Sequence, residues 1–210
     1  MGAFEGRRLH LIGAGGAGMS GLALIAHQLG ASVSGSDRSS STYTSRLSAA
    51  GVIVAIGHDA ANLPDGADVV VSTAIDEANP ELSRARELGL NVLHRSDLLG
   101  ELVAAKPRCI AVAGTHGKTT TTAMIAHMLS ETGGDPTFFV GGEVSVGGEV
   151  TNARWGDGEI VVVEADQTTS NALRQALASV ERCPLVMTLL NKARASDIGS
   201  YYGYGYRNAP

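Results

Sequence analysis

Residues 114–120, Gly-Thr-His-Gly-Lys-Thr-Thr, combine the residue types that hold phosphate. Gly117-Lys118-Thr119 is the core of a P-loop. The amides of Gly114, Thr115, His116, Gly117 and Thr120 would cradle phosphates, Lys118 would neutralise their charge, and the Thr119 hydroxyl would bind Mg²⁺. In the full Walker pattern the first glycine would fall at position 112, which is Val112. His116 reads as a residue that positions the loop rather than as a catalytic base. ATP is the expected nucleotide.

A second constellation lies a hundred residues earlier. Gly13-Ala-Gly-Gly-Ala-Gly18 fits G-x-G-x-x-G between an apolar run and a helical pattern. Small residues let the backbone approach a pyrophosphate, and the helix start supplies amide donors and partial positive charge. Asp37 follows the second apolar run, where an acid can bind a ribose hydroxyl. These residues fix no particular nucleotide, so an NAD(P)-dependent dehydrogenase remains open at this point. A third group is Glu164-Ala165-Asp166, after the apolar run 160–163. An acid at a strand end beside a P-loop reaches Mg²⁺, and Glu164 is the expected ligand.

Alternating strands and helices must position these groups. Strands are expected over 9–12, 31–35, 52–56, 67–72 and 91–93. Helices are expected over 19–29, 45–50, 80–88 and 97–104, the last capped by Ser96. Residues 105–108 read as a linker. A second unit would follow, with a strand over 109–113, a helix over 118–131, a strand over 137–140, loops or hairpins over 141–158, and a strand over 160–163. A helix over 170–180 and a strand over 185–190 would close it. The fold class is α/β: a Rossmann-like parallel-sheet domain over 1–104, then a partial P-loop NTPase-like α/β domain over 105–192. Residues 193–210, rich in Gly and Tyr, read as a disordered tail.

Composition excludes other classes. Twenty-one acidic against sixteen basic residues leave no excess to hold nucleic acid. No apolar run is long enough to span a membrane, and a cytoplasmic protein is expected. Cys109 and Cys183 lie in or beside apolar runs and read as buried, reduced thiols. Neither belongs to a metal-binding spacing.

Read together, these features resemble the Mur ligases from about Leu9 to Asp166. The matching segments are Gly13-Ala-Gly-Gly-Ala-Gly-Met-Ser-Gly21, Val33-Ser-Gly-Ser-Asp37, Ser72-Thr-Ala-Ile75, Asn79-Pro-Glu81, His94-Arg95, Ala111 to Thr122, and Val163-Glu-Ala-Asp166. That family uses a shortened loop signature, which accounts for Val112, and the match sets the dehydrogenase reading aside. The resemblance implies an ATP-dependent ligase of peptidoglycan synthesis that joins L-alanine to UDP-N-acetylmuramate through an acyl phosphate. It implies ATP at residues 114–120, with Lys118 and Glu164 catalytic and Thr119 and Glu164 holding Mg²⁺. It places the UDP sugar on Gly13, Gly15, Gly16, Gly18, Met19, Ser20, Asp37, Ser72 and Thr73.

After Asp166 the family pattern continues Glu-Ser-Asp, whereas this chain has Gln167-Thr168-Thr169. The later Thr-Asn-x-x-x-Asp-His segment and the third domain are absent from the sequence, so a truncated or chimeric ligase of impaired activity is expected. Residues 166–177, Leu189-Leu-Asn-Lys192 and Tyr201-Tyr-Gly-Tyr-Gly-Tyr206 resemble the end of bacterial polysaccharide-associated tyrosine autokinases, whose tail tyrosines accept phosphate. A non-catalytic UDP-sugar and ATP-binding module, or a phosphoacceptor protein acting through its tyrosine tail, are the alternatives.

Overall fold

A computed structural model describes residues 4–114, 116–146 and 148–164. The expected helix over 170–180, the strand over 185–190, Cys183 and the Gly/Tyr tail lie outside the described residues.

The first unit runs β1 (Arg8–Ile12), α1 (Ala17–Gln28), β2 (Ser32–Asp37), α2 (Thr42–Ala49), β3 (Ile53–Ile56), β4 (Asp68–Val71), α3 (Pro80–Glu87), β5 (Val92–His94) and α4 (Arg95–Ala104). Its five strands are all parallel, in the order β3-β2-β1-β4-β5. The chain leaves β1 for β2 on one side and later adds β4 on the other. A crevice therefore opens beyond the carboxyl ends of β1 and β4, where sheets of this kind take ligands. Helix α4 starts two residues before its expected position. Its cap is His94 rather than Ser96: the His94 Nδ1 accepts from Ser96 N at 3.3 Å, and Asp97 accepts from His94 N at 2.9 Å.

The second unit runs β6 (Arg108–Val112), α5 (Lys118–Glu131), β7 (Thr137–Val146), β8 (Glu149–Arg154) and β9 (Ile160–Glu164), in the sheet order β6-β9-β7-β8. The first three strands of that order are parallel, and β8 returns antiparallel to β7. Strand β7 continues six residues past its expected end. The pairing register with β8 shifts between Phe139 and Val144, around the Gly141-Gly142 pair. Glycine weakens an isolated strand, but pairing along Val144–Val146 outweighs that local preference.

Helix α1 lies between the two sheets. Its Met19, Leu22, Ala23, Ile25 and Ala26 share one core with Leu9, Leu11 and Val33 of the first sheet and with Phe139, Ala153, Val161 and Val163 of the second. Burying each of the larger side chains contributes roughly 1.5–3 kcal/mol. Alternation along β7 and β9 sends Phe138, Val140 and Val162 to the opposite face, against Ala126 of α5. The same alternation corrects the expectation for Cys109. On β6, the last strand of the sheet order among the described residues, Ile110 and Val112 turn toward α5, while Cys109 is exposed. Among the described residues no helix is long and apolar enough to cross a membrane.

Candidate functional site

The Gly13–Gly18 segment is held almost entirely by the end of β2. Gly13 takes φ +82° to leave β1, a conformation that favours glycine. The N–H groups of Gly13 and Ala14 both donate to Ser36 O, at 2.8 and 2.9 Å. Gly15 N donates to Asp37 Oδ2 at 2.7 Å, and Gly16 N to Gly13 O at 3.2 Å. Intrahelical bonding resumes at Ser20 N, which donates to Gly16 O. Among the described residues the N–H groups of Ala17, Gly18 and Met19 donate to nothing. They form the first turn of α1, which carries no acidic residue, so the helix dipole there is uncompensated.

These donors border a cavity of about 550 Å³ lined by Gly13, Gly16, Gly18, Met19, Asp37 and Ser72. Ala17, Ile75 and Arg95 also line it, and sequence reasoning gave none of them a role. Three expected residues, Gly15, Ser20 and Thr73, are not in this lining. Thr73 is exposed and outside the lining. Ser20 is buried, donates to Ala17 O at 3.0 Å, and accepts from Asn152 of β8 at 3.0 Å. It therefore faces the second sheet. Two of the motif's glycines make room for the protein's own side chains. A Cβ on Gly15 would lie 2.8 Å from the Asp37 carboxylate, and one on Gly18 would lie 2.5 Å from Arg95 Nη1. Asp37 is thus engaged in bracing the turn, with its second oxygen accepting from Ser39 N at 3.2 Å.

The phosphate-type loop follows β6, with Thr115 outside the described residues. Gly117 caps α5 at φ +78°, again a glycine conformation. Thr121 N donates to Gly117 O, so the N–H groups of Lys118, Thr119 and Thr120 point out of the helix start with no acceptor among the described residues. The Lys118 ammonium curls over the loop and donates to Gly114 O at 2.7 Å. His116 is exposed.

Glu164 ends β9 and pairs in parallel register with Val112, just before the loop leaves β6. Its Oε1 accepts from Gly141 N at 2.9 Å. A Cβ on Gly141 would lie 3.0 Å from Glu164 Oε2, and one on the adjacent Gly142 would lie 3.7 Å from the Thr119 methyl. The glycine pair therefore brings the ends of β9 and α5 to neighbouring points on β7. A second cavity, of about 310 Å³, runs between α1, α4 and β7, with Glu164 at one end and apolar walls from Leu22, Leu99 and Phe139. Both cavities are bordered by Ala17, Gly18, Arg95 and Gly141, so they form one cleft.

Residues 8–107 match the Mur ligase family, catalytic domain, and residues 112–181 match the Mur ligase middle domain. The second match runs past Asp166, where the motif resemblance stops, and takes in residues 166–177, the first of the three segments read as resembling the end of a tyrosine autokinase. The UDP-N-acetylmuramate–L-alanine ligase of Symbiobacterium thermophilum is 53% identical over 172 residues, covering 81% of this chain and 35% of its own length. That of Methylibium petroleiphilum is 48% identical over 167 residues, covering 80% and 35%. The crystal structure of a UDP-N-acetylmuramate–alanine ligase from Thermotoga maritima aligns with TM-score 0.70 at 34% identity, over 75% of this chain and 37% of that one. A UDP-N-acetylmuramate:L-alanyl-γ-D-glutamyl-meso-diaminopimelate ligase from Neisseria meningitides aligns with TM-score 0.69 at 34% identity, over 76% and 52%. The chain spans about 35% of the length of the curated relatives it matches. Two domain matches from one family, in chain order and separated only by residues 108–111 of β6, lead to one conclusion: the chain belongs to the Mur ligase family.

Proposed function

We propose that this chain supplies the sugar-nucleotide domain, residues 1–104, and the ATP-binding domain, from residue 105, of a cytoplasmic ligase that joins L-alanine to UDP-N-acetylmuramate. One observation carries the reading: Gly18 of the first helix start and Glu164 beside the second line the same cavity. A carboxylate on a ligand anchored at the first turn would thereby lie close to a phosphate held at the second. In the proposed reaction the carboxylate of UDP-N-acetylmuramate becomes an acyl phosphate at the expense of ATP. The amine of L-alanine then displaces phosphate. Each of the four relatives is named for UDP-N-acetylmuramate, while the Neisseria enzyme is named for a longer peptide. L-alanine is favoured by the 53% and 48% identical relatives.

The chain's own groups would bind and orient. Amides of Ala17, Gly18 and Met19 would hold the diphosphate, with Asp37 keeping the turn in shape. Lys118 would hold the ATP phosphates and steady the group in transfer, since such reactions depend on positioning and charge neutralisation. A Thr119 hydroxyl and a Glu164 carboxylate are hard oxygen donors that leave most coordination positions to phosphate and water, a set suited to Mg²⁺. Among the described residues no group of three or more His, Cys, Asp or Glu could form an all-protein cage instead. Bound there, Mg²⁺ would neutralise phosphate charge. Calorimetry with UDP-N-acetylmuramate and with Mg-ATP tests the reading: each should bind, and binding of neither overturns it. Phosphate release that requires both UDP-N-acetylmuramate and L-alanine distinguishes a ligase from a binding module.

A further inference from the structure

Behind the first turn, on the far side of β2, lies a buried carboxylate that the proposed reaction does not use. Glu81, at the start of α3, has no exposed surface. Its Oε2 accepts from His10 Nε2 at 2.7 Å and from the Ser36 hydroxyl at 2.7 Å. Its Oε1 accepts from His58 Nδ1 at 3.1 Å and from Asn62 Nδ2 at 3.4 Å. Four donors meet a group that can only accept, so the carboxylate is saturated. His10 donates from Nε2 and faces the Ser34 hydroxyl with Nδ1 at 2.8 Å, which fixes its ring. Burial works against the charge on Glu81, yet the bonds from His10, Ser36 and His58 hold its carboxyl below the usual range.

A buried ion of this kind is weak support for stability, because an apolar residue of similar size packs as well without desolvation. Its consequence lies in what it holds. Ser36 gives its hydroxyl proton to Glu81, and its carbonyl receives both Gly13 N and Ala14 N. With those two amides on Ser36, Gly15 N on Asp37 and Gly16 N on Gly13 O, the amides of Ala17, Gly18 and Met19 are the ones left facing the cavity.

We propose that Glu81 is a positioning residue for the anion-binding turn, acting through Ser36 to set where residues 13–19 present their amides. This rests on the reading that the turn binds the diphosphate of a uridine nucleotide. The test uses the full chain, with UDP and Mg-ATP as probes, and two variants: Glu81→Gln, which keeps the shape, and Ser36→Ala, which removes the tether together with the 3.0 Å contact of the same hydroxyl with His58 Nδ1. In both, UDP affinity should fall about tenfold, the scale of losing a hydrogen bond to a charged group, with Mg-ATP affinity unchanged. The amide resonances of Gly13 and Ala14 should shift and exchange faster, while amides of β4 and β5 keep their protection. If Ser36→Ala leaves UDP affinity unchanged, or if UDP and Mg-ATP affinity fall together, the proposal is overturned. A wild-type chain that binds no UDP would refute the nucleotide reading instead. The Gly13 and Ala14 amides would then still decide whether Glu81 sets the turn.

Discussion

Asn152 donates to Ser20 at 3.0 Å across the boundary between the two sheets, and both residues are buried. The same amide nitrogen also donates to Ala17 O in the first turn of α1. Its Oδ1 accepts from Arg46 at 3.4 Å. One side chain of β8 thus fastens the helix start that borders the first cavity. Asn152→Ala would remove the bonds that join β8 to this helix start while Ser20 keeps its bond to Ala17 O, a loss of about 1 kcal/mol. Urea unfolding should show that loss as a lower midpoint. Because α1 belongs to the cores of both sheets, the wild-type chain should unfold in one transition. A wild-type curve with two separated transitions would show that the sheets are not coupled through α1.

Gly15 and Gly16 offer a controlled comparison within the turn. A Cβ on Gly15 would meet the Asp37 carboxylate at 2.8 Å and the Thr44 methyl at 3.0 Å, whereas one on Gly16 finds nothing closer than Gly13 O at 3.5 Å. Gly15→Ala should therefore displace Asp37 and destabilise the chain by about 1–3 kcal/mol, the usual scale for overpacking. UDP binding should weaken with it. Gly16→Ala should be milder on both counts. Equal effects from the two variants would mean that Asp37 does not brace the turn.

Much of this arrangement could be read locally. The helix over 118–131 and the strands that precede both glycine turns follow from apolar periodicity and from the glycines that end each run. What was missed depends on contacts distant in sequence. Periodicity assigns α1 one buried face, through Leu22, Ile25 and Ala26. Its second face, with Gly21 against Ala153, exists because a hairpin more than a hundred residues later packs on it. The bond from Asn152 to Ser20 is of the same kind: nothing near Ser20 in sequence announces it. Arg95 stood in a recognised segment without a role. The signal for it was Gly18, whose missing side chain leaves space for the guanidinium. The apolar run places Cys109 inside, but among the described residues β6 ends the sheet order and Cys109 is exposed.

Lys118 separates the two binding events. Its ammonium lies over the loop at Gly114 O, and neither cavity beside the first turn includes it among its lining residues. Lys118→Ala should abolish detectable Mg-ATP binding in calorimetry and leave UDP-N-acetylmuramate affinity within experimental error. If both ligands bind as in the wild type, the loop is not the ATP site. Loss of both would show that the lysine supports the fold of the second unit.

Glu81 makes stability depend on pH in a direction that can be worked out. Burial favours its protonated form, but hydrogen bonds from His10, Ser36 and His58 outweigh that and lower its pKa from an ordinary value of about 4.5. The native chain therefore binds fewer protons at this site than the unfolded chain. Stability contributed by the carboxylate is fully present above the ordinary value and is lost as pH falls toward the lowered one. Exposed carboxylates also titrate in this window; Glu77, lowered by Arg86, is one. The informative quantity is consequently a difference. Urea midpoints measured from pH 7 down to pH 3, a window on the order of the carboxylate range, should fall more steeply for the wild type than for Glu81→Gln. The gap between the two curves should narrow toward the acid end, as Glu81 takes up its proton. Parallel curves would mean that Glu81 binds its proton equally in the folded and unfolded chains, and a wild type that gains stability relative to Glu81→Gln on acidification would mean that Ser36 is held by a neutral acid.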